Sequence, residues 1–437
     1  MKVFEPAVAD RAQFGISLWQ HWALLACMFL TTGAGGFVQP FVSLYLEAAG
    51  LKQGQIGLVL GCSMATALII QPLLGHLSDR IDARRPLMFA AGVLSAVAYS
   101  CYNSAQGIIV FTLLTMLAVN GFQYLNAGGA VVVARMAHGP GQSGAAQTGT
   151  AYASYRVWGS VGFIVVTLLC GAFMHSRFSG VSQFGRAELQ GIFKFGPLLF
   201  LGAGLASCLL PDRKTSLEEK RVLEKSRESL PVNLRWFLAA IFCYMFSVSG
   251  AFSYLSLYMK SLGAMPLTIT CTWAAGVVCE VLMMMRIGRL TDRFGRRPAL
   301  IVAFLALPVR MLLYIPAPSP LWILMVQLME GLGFGIMGAT IIAFVNDSAH
   351  DARRGIAQAR LSAVSGLALA LGPVIGGVLV QRLGMSWLFA AMAGVGAVGA
   401  VIVLTRVRES HPMPEPLQHR HAALQPALRL LAEPPHA

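Results

Sequence analysis

Four side chains could do proton or ion chemistry where charge is costly. Arg156, Glu280, Arg310 and Glu330 each lie inside an apolar run. A charge at the centre of a membrane-spanning helix costs about 2.5–3.5 kcal/mol even on a lenient insertion scale. Facing lipid, the four would cost about 10–14 kcal/mol together, comparable to the whole stability of many domains. They must therefore face an interior cavity or one another. Two acids and two arginines balance at zero when all are ionised. Protonating one acid leaves the set positive, which ties a proton to conformation or to a bound solute. The alternative is that they are buried ion pairs that only hold helices together.

Neutral polar residues form a second layer. Asn120, Gln123 and Tyr124 stand at i, i+3 and i+4, with Asn126 nearby, so they share one helical face. Gln39, Ser43, Tyr152 and Tyr155 are expected to point the same way. Tyr244, Ser247 and Gln327 are the candidates from the second half. Gln327, Glu330 and Phe334 share a face at i, i+3 and i+7. Amides, hydroxyls and aromatic rings around one mouth suit a polar, ring-bearing solute. Hydrogen bonding between helices is the competing use of such residues. His21, beside Trp19 and Trp22, reads as an interfacial anchor. Glu47, at the end of the first run, reads as reaching water, and Asp347 as a loop acid.

These residues must be held by membrane helices. The chain is 56% hydrophobic and 12% charged, where soluble proteins average about 25% charged. Runs of roughly 20 apolar residues, the length that crosses a bilayer as a helix, recur throughout. We count twelve, from 18–46 to 385–406, including 86–104 and an unbroken 320–346. At 1.5 Å per residue, Arg156, Glu280, Arg310 and Glu330 lie roughly 12–18 Å from their helix ends, near the midplane. The net charge of +14 does not point to nucleic acid, because the basic residues sit in short connections between apolar runs. The eight cysteines lie in or beside those runs without a CxxC pair, so neither disulfide nor metal is expected. No Gly-x-x-x-x-Gly-Lys-Ser/Thr loop occurs, and nothing implies ATP or another cofactor.

Two basic turns punctuate the chain. The first reads Gly75-His76-Leu77-Ser78-Asp79-Arg80-Ile81-Asp82-Ala83-Arg84-Arg85-Pro86. The second reads Gly288-Arg289-Leu290-Thr291-Asp292-Arg293-Phe294-Gly295-Arg296-Arg297-Pro298. Two copies half a chain apart imply two similar halves. Gly75 and Gly288 would let a neighbouring helix approach. Asp79, Arg80, Asp292 and Arg293 could make contacts that form in one conformation and break in another.

This repeated turn, with twelve spans and a long charged central connection, resembles the major facilitator superfamily over nearly the whole chain. Gly50-Leu51 followed by Gln55-Ile56-Gly57, and Tyr155-Arg156-Val157-Trp158-Gly159-Ser160-Val161-Gly162, resemble the branch of lactose permease, nucleoside:proton symporters and phenylpropionate transporters. The resemblance implies that Arg156 contacts substrate and that Arg310, in Pro308-Val309-Arg310, takes part in proton coupling. It matches Glu280 to an acid typical of that branch. The chain departs twice. Glu330 stands where relatives carry a histidine, and Val131, Val132 and Val133 stand where lactose permease carries a substrate-binding acid, which argues against lactose.

The expected architecture is an all-α integral membrane protein, twelve transmembrane helices in two pseudo-symmetric six-helix bundles. Its parts are an N-terminal bundle (1–210), a cytoplasmic loop (211–233), a C-terminal bundle (234–409) and a disordered cytoplasmic tail (410–437). With both termini in the cytoplasm, 24 of the 33 lysines and arginines fall on the cytoplasmic side and 6 outside, as the positive-inside rule requires. The expected function is proton-coupled symport of a small polar solute (a sugar, nucleoside or related ring compound) across a bacterial inner membrane by a monomer. Glu280, Glu330 and Arg310 would carry the coupling. The alternatives are a proton-driven efflux antiporter for sugars or drugs, and a membrane sensor that does not transport.

Overall fold

A computed structural model describes residues 17–81, 84–137, 145–177, 184–210, 231–348 and 354–410. Local signals set the helices. Ser17 and Gln20 form a capping box, each side chain bonded to the other's backbone N–H, and start α1 (Leu18–Ala48). Then follow α2 (Gln53–Ile81), α3 (Arg84–Ser100), α4 (Gly107–Ala137), α5 (Ala145–Arg177) and α6 (Arg186–Ser207). The second half holds α7 (Val232–Ser261), α8 (Pro266–Phe294), α9 (Arg296–Tyr314), α10 (Pro320–Gln327), α11 (Ile336–Ser348), α12 (Arg354–Leu383) and α13 (Met385–Arg406). Pro266 and Pro320 stand in the first turns of α8 and α10, where a missing N–H costs nothing.

Among the described residues, eleven stretches are long and apolar enough to cross a membrane. The twelfth, α3, has 17 residues and continues into a short 3₁₀ turn, Cys101–Asn103. The predicted unbroken run at 320–346 is not one α-helix. It is α10, a turn, a π-helical segment Gly331–Gly335 and α11. Three glycines in five residues lower helix propensity there, by about 1 kcal/mol each against alanine.

The helices group as two halves. In the first, α1 packs on α5 and α6, α3 on α4 and α6, and α2 on α4. In the second, α12 and α13 pack on α7, α9 on α13, and α8 on the π segment. Pro40 removes the N–H that would have bonded the Gly36 carbonyl. Thr167 Oγ1 of α5 donates to that carbonyl at 2.9 Å, so the break in α1 becomes a link between helices.

The halves meet along two seams, α2 against α12 and α5 against α8. We call the face bearing residues 17, 210, 231 and 410 proximal and the opposite face distal. At the distal face the halves are tied together. Lys260 Nζ of α7 lies 2.7 Å from Glu47 of α1, and Gln53 Nε2 donates to the same carboxylate at 2.8 Å. The Tyr254 hydroxyl lies 3.1 Å from the Gln53 carbonyl, and Gly54 N–H donates to Gln381 of α12 at 2.9 Å. Glu47 is thus a member of an ion pair between halves, where the sequence suggested only contact with water.

Toward the proximal face the seam parts. A Cβ at Gly61 of α2 would run into Val374 and the Ala370 carbonyl of α12, whereas one at Gly75 would meet nothing within 4 Å. Gly288 is equally open. We predict that Gly61→Val costs about 1–3 kcal/mol through overpacking, seen as a lower thermal midpoint in detergent. Gly75→Ala should leave the midpoint unchanged or raised.

Candidate functional site

Where the seams diverge, the two halves enclose a cavity of about 580 Å³. From the first half α1 contributes Thr32, Gln39 and Ser43, α4 contributes Gln123 and Asn126, and α5 contributes Arg156, Ser160 and Phe163. From the second half come Ser249, Phe252 and Ser253 of α7, Trp273 and Glu280 of α8, and Gln327, Glu330 and Phe334 around the π segment. Trp273, Gly276, Val277 and Glu280 are spaced i, i+3, i+4 and i+7, which places them on one face of α8.

The four charges that the sequence singled out form two pairs of different kind. Arg310 and Glu330 are in direct contact within the second half, their side chains 2% and 7% exposed. The Arg310 guanidinium also lies over the Phe252 ring, 5.3 Å from its centroid. Gln327 Nε2 donates to Glu330 at 3.3 Å, and the Tyr314 hydroxyl donates to Gln327 Oε1 at 2.5 Å. Arg310, Glu330, Gln327 and Tyr314 therefore form one buried polar string. The second pair crosses the seam. Arg156 Nη2 lies 4.0 Å from Glu280 Oε1, with the side chains 42% and 16% exposed. That distance is too long for a hydrogen bond, and both groups face the cavity.

The glycines of the π segment set this geometry. A side chain at Gly331 or Gly335 would collide with the backbone of Cys279 or Glu280. Their absence lets α8 lie against the segment that carries Glu330. Glu330 thus stands where the α-helix gives way to the π turn.

The structure brings Arg156, Gln39, Ser43, Gln123, Asn126, Glu280, Gln327, Glu330 and Phe334 to the cavity and places Asn120, Tyr124, Tyr155, Tyr244 and Ser247 elsewhere. Asn120 is buried between helices, where its amide donates to Thr66 Oγ1 at 3.0 Å and to the Met116 carbonyl at 2.8 Å. Tyr124 is buried outside the cavity lining. Tyr155 is fully buried and lies 3.0 Å from His21 Nδ1. This also corrects the reading of His21 as an interfacial anchor; it is 2% exposed, while Trp19 and Trp22 are exposed. Tyr244 is fully buried, edge-on to Phe304, with its hydroxyl over Gly333. Ser247 donates to the Met392 carbonyl. The Tyr152 side chain lies outside the described residues. Thr32, Ser249, Phe252, Ser253, Trp273 and Tyr314 escaped the sequence reading. Tyr314 follows Arg310 by four residues and Trp273 precedes Glu280 by seven, spacings that share a face and could have revealed both.

The basic turns stand at the proximal ends of α2 and α8. Arg80 and Arg293 are exposed there, and the Asp79 and Asp292 side chains lie outside the described residues, as do Asp82 and Ala83. Gly295 alone joins α8 to α9 with φ +91°, a conformation that favours glycine. Glu409 accepts from the N–H groups of Arg296 and Arg297, both at 2.9 Å, and so caps α9. Arg296 also reaches Asp347, 3.4 Å away, so that acid is an ion-pair partner of the turn.

Residues 21–391 match the MFS_1 like family. The chain is 27% identical over 390 residues to a maltose permease of Geobacillus stearothermophilus, covering 86% of this chain and 93% of that one. It is 24% identical over 378 residues to a probable 3-phenylpropionic acid transporter of Escherichia coli K12, covering 82% and 91%. Among solved structures it resembles the nucleoside transporter NupG, with a TM-score of 0.69 at 16% identity over 90% of this chain and 100% of that one. All three are transporters and none is an enzyme. With its paired helical halves and central charged cavity, the chain belongs to the MFS_1 like family, a multi-pass membrane protein of the major facilitator type.

Proposed function

We propose that this protein is a proton-coupled symporter that carries a small ring-bearing solute by alternating access. The observation that carries this reading is the cross-seam pair. Glu280 and Arg156 belong to different halves, face the same cavity and stand 4.0 Å apart without a hydrogen bond. A solute bound between them changes the balance of one half against the other, and that is what drives a conformational equilibrium. The names of relatives and neighbours (maltose, 3-phenylpropionic acid, nucleoside) support a ring compound.

In this reading Glu280 carries the proton. It is the more accessible of the two acids, and its partner does not hold it closely. Glu330 shares its buried charge with Arg310 and an amide, and keeps it. Arg156, Gln39, Gln123, Asn126 and Gln327 contact the solute. The positive-inside bias makes the proximal face cytoplasmic, and the bacterial relatives support an inner membrane, so this conformation is closed to the outside. Closing the cytoplasmic side would bring the turns at Gly75–Arg80 and Gly288–Arg293 against neighbouring helices. One chain holds both halves of the cavity, which suits a monomer.

Glu280→Gln should fold, bind and exchange solute, yet fail to accumulate it. With one pH unit across right-side-out vesicles, acid outside, the loss should be about tenfold, the value of one coupled proton. Solutes for this assay come from a panel of sugars, nucleosides and aromatic carboxylates; uphill accumulation that survives in the variant would sink the assignment. Glu330→Gln should instead strand the Arg310 charge and cost about 3–5 kcal/mol, read as a lower thermal midpoint in detergent. Removing both charges with Arg310→Met and Glu330→Leu should restore most of that loss. A double variant as unstable as the single one would show that the stranded charge is not the cause.

A further inference from the structure

We infer that the solute is a monoanion, an aromatic or alicyclic carboxylate whose charged group replaces Glu280 on Arg156 and leaves Glu280 to take up one proton. This rests on the proton-coupled reading above and narrows it. Arg156 is the arginine still open to a ligand. Its guanidinium has five donors and, among the described residues, one distant partner. Arg310, the other arginine of the four, is occupied by Glu330 and by the Phe252 ring. One open fork accepts one carboxylate. The wall of the cavity it faces is ring-rich, with Phe122 and Phe163 from the first half and Phe252, Trp273 and Phe334 from the second. Such a wall suits a flat or cyclic apolar body with one charged end.

Charge balance favours the same class. With no solute the four charges sum to zero. A neutral solute plus a proton would leave the site at +1 while it moves through the membrane interior. A monoanion plus a proton returns it to zero, so loaded and empty carriers carry the same net charge and neither is penalised. Glu280 interacts with Arg156 from α5 and Tyr244 from α7, and Glu330 lines the same cavity. Only Arg156 is freed or engaged by the exchange.

The test uses the purified full-length protein in detergent, titrated calorimetrically with 3-phenylpropionate, phenylacetate and cyclohexanecarboxylate. The amide of 3-phenylpropionate and maltose serve as neutral comparators. All three acids are ionised between pH 6 and 8, their carboxyls titrating at about 4–5. Comparing buffers of different ionisation enthalpy should show about one proton taken up per anion bound. The Kd should then rise about tenfold per pH unit over the range where Glu280 is ionised. In Glu280→Gln the proton uptake should vanish and the Kd become independent of pH, while Arg156→Gln should lose anion binding. In proteoliposomes, carboxylate uptake should follow a pH gradient and ignore a potassium diffusion potential. Equal binding of the amide or maltose, carboxylate binding without proton uptake, or no binding by any carboxylate would overturn the inference. A neutral solute moved with protons and with current would overturn it while leaving the symport reading intact. Carboxylate uptake indifferent to the pH gradient would sink the symport reading itself.

Discussion

The arrangement depends on one constraint: charge placed among apolar helices must be balanced close by. This chain meets it in two ways. Arg310 and Glu330 neutralise each other inside one half, with Gln327 and Tyr314 satisfying further polar atoms. Arg156 and Glu280 do so across the boundary between halves, at a distance that leaves each open to another partner. A buried pair of the first kind resists change, since separating its members exposes an uncompensated charge in a medium of low dielectric. A pair of the second kind is sensitive to whatever enters the cavity.

Backbone features place both pairs at one depth. The glycine-rich π segment interrupts the span that carries Glu330, and the glycines remove side chains that would hold α8 away. π-helical turns widen a helix locally and concentrate at functional sites. Here Phe334 of the irregular turn lines the cavity and its three glycines are buried in protein, which is where irregular backbone at membrane depth is tolerated. On the other side α5 is held to α1 by short contacts. Thr32 Oγ1 lies 2.5 Å from the Gly159 carbonyl, three residues past Arg156, and fixes the helix from which that arginine projects.

The elements were legible in the sequence because apolar runs of spanning length are a strong signal, as was the expense of the four buried charges. Which charge paired with which was not legible. Arg310 and Glu330 are 20 residues apart and Arg156 and Glu280 are 124 apart, and only packing decides the partners. The break at Gly331–Gly335 was invisible to hydropathy, since glycine there does not interrupt an apolar run. Helical spacing also misled. Asn120, Gln123 and Tyr124 share a face too wide for one environment. Gln123 reaches the cavity while Asn120 turns to Thr66 and Tyr124 into the core. Glu47 lies at the end of its helix, where water is the natural expectation; its partner Lys260 comes from the opposite half.

The distal closure is matched in strength to the proposed work. Half-exposed ion pairs such as Glu47 with Lys260 contribute about 0.2–1 kcal/mol. The neutral hydrogen bonds at Gly54 and Tyr254 contribute about 0.5–1.5 kcal/mol each. The polar part of the closure is thus worth a few kcal/mol. Shifting a two-state equilibrium from 1:99 to 99:1 takes about 5.5 kcal/mol of differential affinity. A ligand that exchanges partners at Arg156 acts on the same boundary that the distal contacts close. A tighter distal seal would lock the carrier in one state, and a looser one would leak. The glycine packing of α2 on α12 adds close contact without buried polar groups that would have to be stripped of partners on opening. The distal seam can therefore part at a polar cost of a few kcal/mol, while the central charges stay balanced.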